Sequence, residues 1–324
     1  LDHEEARLIR IRIIFATILV CLGLASCHQK KNDRAPQEDW TVDYPAPPVD
    51  PIFSPPRQET IRSMTVRDIE NMPDSITLVD GKWEDPASRR SVTLARDFVV
   101  VGDVCRDGNP PDAVVLLGAN YGGTGDILHL AVVSKQGAGI RNVGNAAVGD
   151  RVQVRDARVD GNGRIVLEVV QAGPHDAMCC PGETAERSWA MEDGVLKEVA
   201  STSQRGRLSP ANLNGSWWML RYWNLDEEAP PLISIKFQNG IVIGTDGCDQ
   251  FHAEVRGGHT PGDIAFIHAT RTQMACGEPK DSVETRFLAQ LNGVTKFSFV
   301  ATELALTYRV GDKIGTMRFI APKL

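Results

Sequence analysis

Short runs of β-branched and aliphatic residues, each closed by Gly, Asp or Asn, constrain this chain most. Such a pattern folds as many short strands joined by tight turns. Ile76–Val79, Val92–Leu94, Phe98–Val101, Ala113–Leu117, Leu128–Val133, Arg151–Val154 and Ile165–Val170 read as strands of a first folded region. Between two of them, Asp160-Gly161-Asn162-Gly163 predicts a hairpin turn. Farther along, Ile233, Ile235 and Phe237 alternate with polar partners, and Asn239-Gly240 turns the chain into Ile241–Ile243. Leu304, Leu306 and Tyr308, then Met317 and Phe319, keep the same period of two. One helix interrupts the pattern. Asp281 reads as its N-cap with Glu284 three residues on, Val283, Phe287, Leu288 and Leu291 share a face, and Asn292-Gly293 supplies the stop. The expected fold class is α+β, predominantly antiparallel β, in two small β-rich domains, the second with one amphipathic helix packed on its sheet.

Near the N-terminus, Arg7, Arg10 and Arg12 precede the apolar run Ile13 to Leu24, which closes on Ala25-Ser26-Cys27. That order is a secretory signal, and the run falls short of the ~20 residues that span a bilayer. Leu24-Ala25-Ser26-Cys27 resembles the bacterial lipobox. The resemblance implies cleavage before Cys27, a diacylglyceryl thioether on its sulfur and a membrane attachment through lipid. With His28 rather than Asp behind the cysteine, it also implies sorting to the outer membrane, facing the periplasm. Stable anchoring needs at least two acyl chains. Pro36, Pro45, Pro47, Pro48, Pro51, Pro55 and Pro56 then mark a polar, semi-rigid spacer. The expected organisation is a signal peptide over 1–26, a spacer over 27–57, a β-rich domain over 58–200, a polar linker over 201–212 and a second domain over 213–324.

A formal charge of −7 is unaltered by removal of the leader, because Asp2, Glu4 and Glu5 balance Arg7, Arg10 and Arg12. A mildly acidic chain offers no electrostatic footprint for nucleic acid and none for anionic lipid. Of 7 cysteines, Cys21 lies in the leader and Cys27 is the lipid site. Cys105, Cys179, Cys180, Cys248 and Cys276 remain for a compartment in which disulfides persist.

The second domain opens on Leu213-Asn214-Gly215-Ser216-Trp217, carries Gly244-Thr245-Asp246-Gly247-Cys248-Asp249-Gln250-Phe251 after its hairpin, and continues through Thr272-Gln273-Met274-Ala275-Cys276. In these residues, over Leu213 to Pro322, it resembles a META domain, the fold of HslJ-like bacterial lipoproteins. The chain departs from the family at Asp249, where Asn is usual, and at Ala253 and Val255, where Gly and Tyr are frequent. The resemblance implies a small envelope domain linked to stress responses and brings no catalytic residue. Cys248 and Cys276 are disulfide candidates, and a loop of that size contributes roughly 3–4 kcal/mol in the chain-entropy estimate. The first domain is similar to one found in other bacterial lipoproteins, through Gly102-Asp103, Asp107-Gly108, Asp112-Ala113, Gly122-Gly123-Thr124-Gly125 and Asp176-Ala177-Met178-Cys179-Cys180-Pro181.

Several motifs suggest chemistry and have plainer readings. Asp103, Cys105, Asp107, Gly108 and Asp112 are spaced like part of a calcium loop, but a soft cysteine fills an oxygen slot and no closing Glu follows. Gly118 to Gly125 lacks the Gly-Lys-Ser/Thr ending of a phosphate loop and reads as a turn between strands. His175, Asp176, Cys179 and Cys180 lack zinc-finger spacing, and a disulfide from Cys105 to one of the pair, or between the two, is expected instead. His252, His259 and His268 read as surface residues. No Gly-x-Ser-x-Gly elbow or His-Glu-x-x-His helix occurs. Neither a metal, a cofactor nor a catalytic residue is therefore expected. Trp217, Trp218, Asp249 and Phe251 are the candidate binding face. The leading expectation is a non-enzymatic outer-membrane lipoprotein with an envelope-stress or binding role and an envelope protein as partner. A periplasmic inhibitor of a cell-wall-degrading enzyme or protease, and a hydrolase with a site between the domains, are the alternatives.

Overall fold

The computed structural model describes residues 55–109, 111–177, 180–224 and 227–321, without the side chains of 200–205. The signal peptide, Cys27, the spacer up to residue 54 and Cys179 lie outside the described residues. The described chain begins with one helical turn, α1 (Gln58–Ile61), and a ribbon of β1 (Thr65–Arg67) and β2 (Ser75–Thr77). Next come β3 (Lys82–Asp85), β4 (Arg90–Leu94), β5 (Val100–Gly102), β6 (Asp112–Tyr121), β7 (Asp126–Gln136) and β8 (Gly139–Asp150). They form an antiparallel sheet in the order β3-β4-β6-β7-β8, with β5 on β6. A second antiparallel sheet contains β9 (Gln153–Val159), β10 (Ile165–Gln171), β11 (Glu183–Glu192) and β12 (Val195–Arg207), in the order β12-β11-β10-β9.

The continuous apolar runs of β6 and β7 have a direct cause: that hairpin is covered on both faces. Val114, Leu116, Leu130 and Val132 face the second sheet and pack with Ile165, Leu167 and Trp189. Ala113, Val115, Leu117, Ala131 and Val133 face the other way, onto Ile61, Met64, Val66, Ile76 and Leu78. The first half is thus three layers deep. The turn Asp160–Gly163 joins β9 to β10 as its sequence predicts, with Asp160 Oδ1 accepting from the Asn162 and Arg164 amides at 2.8 and 2.9 Å.

The second half supplies β13 (Trp217–Asn224), β14 (Glu227–Glu228), β15 (Ile233–Gln238), β16 (Ile241–Asp246), β17 (Gln250–Arg256), β18 (Ala265–Arg271), α2 (Lys280–Asn292), β19 (Val294–Val300), β20 (Glu303–Val310) and β21 (Lys313–Ile320). Its sheet runs β18-β17-β16-β15-β13-β21-β20-β19, with β14 on β13. The sheet curls until its edges meet. The Ile264 amide donates to Thr295 O at 3.2 Å and the Phe297 amide to Gly262 O at 2.8 Å. Phe237, Phe251, Phe297, Leu306 and Phe319 fill the enclosed core, and α2 adds Phe287 and Leu291, both fully buried. The described chain is mostly antiparallel β with one long helix on the curled sheet of the second half, as its patterning predicts.

Two boundaries differ from expectation. Asp281 is not the N-cap, because the Lys280 and Asp281 amides already bond to Gly277 O at 3.0 and 3.3 Å and Pro279 takes the cap position. Residues 201–207, expected as linker, continue β12: Thr202, Gly206 and Arg207 pair with Glu186, Thr184 and Glu183. A ladder of backbone hydrogen bonds needs no apolar side chains, so polarity alone misplaced that boundary. The Leu208 amide then bonds to Gly182 O at 2.8 Å, and a short turn at Pro210–Leu213 leads into β13. The halves also meet directly. The Thr302 amide donates to Val154 O at 2.9 Å and the Phe299 amide to Gln153 Oε1 at 2.9 Å.

Leu116 is fully buried between two layers, so Leu116→Ala is expected to cost about 2–5 kcal/mol. Ile314→Ala, at a side chain 61% exposed, should stay within about 0.5 kcal/mol of the parent. Urea unfolding followed by tryptophan fluorescence measures both.

Candidate functional site

On the outside of the curled sheet, strand register aligns one row of side chains. Trp217 stands opposite Lys236, Lys236 opposite Ile243, Ile243 opposite His252, and His252 opposite Thr270. A neighbouring row is Ser234, Thr245 and Gln250, and Thr272 Oγ1 accepts from the Gln250 amide at 3.2 Å. All of these except Lys236, which stands beside Trp217, line an open cleft of about 590 Å³. Trp217 is 43% exposed, and the Lys236 ammonium lies 5.4 Å from its ring centroid. Such a cation–π contact orients the indole while leaving it accessible. The hydroxyl of Thr270 meets the His252 ring at 2.9 Å.

The sheet beneath this row is tightly built. A Cβ at Gly244 would stand 2.0 Å from Ser234 O, so only glycine lets β16 lie this close to β15. The following turn is fastened from inside. Asp246 Oδ1 accepts from the Cys248 and Asp249 amides at 3.1 and 2.7 Å. Asp249 Oδ1 reaches across to the Thr272 hydroxyl at 2.6 Å and the Met274 amide at 3.0 Å. A disulfide, Cys248–Cys276, closes the same connection with its Cα atoms 5.9 Å apart. The Thr272 hydroxyl, helped by the Met274 amide and Arg271, holds the Asp249 carboxyl below the usual carboxylate range against the opposing effect of burial.

Cys248, Asp249 and Glu284 bring three ligand-type atoms within 4.8 Å of one another. They do not make a metal site, because the Cys248 sulfur is spent in the disulfide. The Arg271 guanidinium touches Glu284 and lies 3.6 Å from Asp249, which places a fixed cation among these acids.

The four residues of the expected binding face separate by burial. Trp217 is exposed, whereas Trp218, Asp249 and Phe251 are 4%, 1% and 3% exposed. Trp218 and Phe251 belong to the apolar core, and Asp249 is occupied with the loop described above. The exposed side chains here are Trp217, Gln250, His252 and Thr270, with Lys236 half-buried beside Trp217. Lys236, Gln250 and Thr270 were not among the expected residues, because only strand pairing aligns them with Trp217 and His252. Trp223 is also buried, under the Arg286 guanidinium at 4.6 Å.

In the first half, Asp112 is turned inward. Its Oδ2 accepts from the Val104 and Cys105 amides at 3.0 and 2.9 Å, and Oδ1 accepts from the Ser134 hydroxyl. Its carboxylate thereby braces the loop that carries Asp103 and Asp107. Cys105 takes no part in a disulfide, which removes one of the two pairings expected for the cysteines of this half, and Cys179 of the other lies outside the described residues. The Cys105 sulfur sits 3.6 Å from Ser134 Oγ, and burial pushes the thiol up to about 11, against the bond from Ser134. Asp176 Oδ2 accepts from the Gly173 and Gly182 amides at 2.8 and 2.9 Å, and Oδ1 from Arg207 at 2.5 Å, so it shapes the cysteine loop. Cys180 and His175 are exposed there. His252, His259 and His268 are exposed, as expected. A cleft of about 950 Å³ with both polar and apolar walls lies between the two halves. In and beside it, Arg155 pairs with Glu168 at 2.7 Å, Arg221 with Asp97 at 3.4 Å and Arg318 with Glu303 at 2.6 Å. Burial pushes the Glu303 carboxyl up, with Arg318 opposing.

The curled sheet, its helix and the Cys248–Cys276 connection occupy the stretch that a comparison with protein families singles out. Residues 211–319 match the model of the META domain. Residues 211–319 are a META domain. No curated protein matches the chain. Among solved structures, an NMR structure of a protein from Burkholderia xenovorans is similar at 17% identity. That similarity covers 40% of this chain and 99% of the other, with a TM-score of 0.28. The outer row headed by Trp217 and the disulfide both lie inside the META domain.

Replacing both bridge cysteines of the META domain, Cys248→Ser with Cys276→Ser, should remove about 3–4 kcal/mol by the chain-entropy estimate, read from urea midpoints. Asp249 gives a pH signature. Its carboxyl loses its proton more readily in the folded chain than at its ordinary value of 3.8. Its contribution is therefore full above that value and fades as pH falls below it. Asp249→Asn should melt below the parent at pH 6, and the gap should narrow as the pH drops below 4. A gap independent of pH would refute this role.

Proposed function

We propose that the chain is a lipid-anchored protein of the outer membrane, facing the periplasm, that binds an envelope component without chemically altering it. The observation that carries the binding half is Trp217, a tryptophan 43% exposed and set in a register-fixed row on a tightly fastened sheet. Large aromatic side chains held rigidly at a surface give contact area at low entropic cost, which is why they recur as binding anchors. Support for the compartment comes from the Cys248–Cys276 bridge, since disulfides persist outside reducing cytosol. The order of Arg7 to Arg12, Ile13 to Leu24 and Cys27 adds to that support. A META domain fits an envelope role under stress.

Production of the full chain in a Gram-negative host with labelled palmitate tests the placement. The parent should carry label and fractionate with the outer membrane, and Cys27→Ala should lose both. A parent chain without label would overturn the anchor.

A further inference from the structure

The chemistry of the Trp217 cleft is specific enough to name a ligand class. Its lining combines one accessible indole with neutral hydrogen-bonding side chains: Ser234, Thr245, Gln250, Thr270 and Thr272. A saccharide has the matching surface. The C–H face of a sugar ring packs on an aromatic plane, while its hydroxyls, each both donor and acceptor, suit threonine hydroxyls and a glutamine amide. The row from Trp217 to Thr270 crosses five strands. At about 4.8 Å per strand spacing it extends about 19 Å, room for several linked rings rather than one. An open cleft, not an enclosed pocket, suits a chain that enters and leaves it.

Charge narrows the class further. Although the protein carries a net charge of −7, none of the described residues lining this cleft is acidic. Its charged or chargeable side chains are Arg271 and His252, and Lys236 stands beside them over Trp217. Arg271 is 44% exposed in its side chain and already engaged by Glu284 and Asp249. Lys236 has no carboxylate partner among the described residues, which leaves an ammonium available next to the aromatic platform. One ammonium without a carboxylate partner, beside the aromatic platform of an otherwise acidic protein, favours a ligand that carries an anionic group. We propose that this cleft binds a carboxylate-bearing saccharide chain, with one ring stacked on Trp217 and a carboxylate placed at Lys236.

This inference deepens the binding role proposed above but not the membrane anchor, and its test uses no membrane, so either reading can fail without the other. The full chain in detergent is titrated calorimetrically with a tetrasaccharide of alternating glucuronate and N-acetylglucosamine. Parallel titrations use the same tetrasaccharide with its carboxyls reduced to alcohols, and a short polyglutamate. Binding of the acidic saccharide is expected, weakened about tenfold by Trp217→Ala, since a lost aromatic contact is of that order. Lys236→Gln should weaken the acidic saccharide and leave the reduced one unchanged. Thr270→Val, a near-isosteric change on an exposed strand position, should weaken both. Absence of saccharide binding, binding indifferent to Trp217→Ala, or polyglutamate binding as tightly as the saccharide would each overturn the proposal.

Discussion

Burial of the β6–β7 hairpin on both faces is the constraint on which the first half rests. A sheet covered on one side alternates apolar and polar residues, but Ala113-Val114-Val115-Leu116-Leu117 has no polar member. Each of these side chains needs a partner, and the two sets require layers on opposite sides. The small ribbon β1–β2 and the turn of α1 satisfy one side, while the sheet β9–β12 satisfies the other. Removing either layer would leave a row of aliphatic groups in water, at roughly 1.5–3 kcal/mol for each large side chain.

The second half solves the same problem by curling. Its core is shut inside a sheet whose edges meet near Ile264 and Phe297, so its outer face is free to vary. That separation explains why Phe251 lies in the core while its neighbours Gln250 and His252 face outward on the same strand. It also explains why fastening is concentrated at one connection. Asp249 and the Cys248–Cys276 bridge hold the segment after β18 against the turn after β16.

Much of this architecture was legible in the residues. Alternation located β15, β20 and β21, Asn239-Gly240 located a hairpin, and the spacing of Phe287 and Leu291 located α2. β8 was not legible, because Gly139, Gly144 and Gly149 with Asn142 and Asn145 interrupt any apolar alternation. Its pairing with β7 survives through register shifts, and the Asn142 side-chain Nδ2 donates to Val132 O at 3.1 Å. The Gly144 position is so close to Met191 and Leu196 that a side chain there would crowd them. The buried acids escaped for a related reason. Asp112, Asp176 and Asp249 are ordinary turn residues by type, and the amides that satisfy them come from loops whose course no local pattern specifies. Trp217 and Trp218 show the same limit, since adjacent strand residues point to opposite sides and only pairing decides which side is core.

The path of β12 carries a consequence for how the molecule comes apart. Its ladder runs through residues expected as linker, and Thr302 and Phe299 knit the META half to β9. No slack segment insulates one half from the other, so loosening either exposes groups that the other had covered. Heated in a calorimeter, the two halves should therefore leave the native basin together, as one heat-absorption peak instead of two.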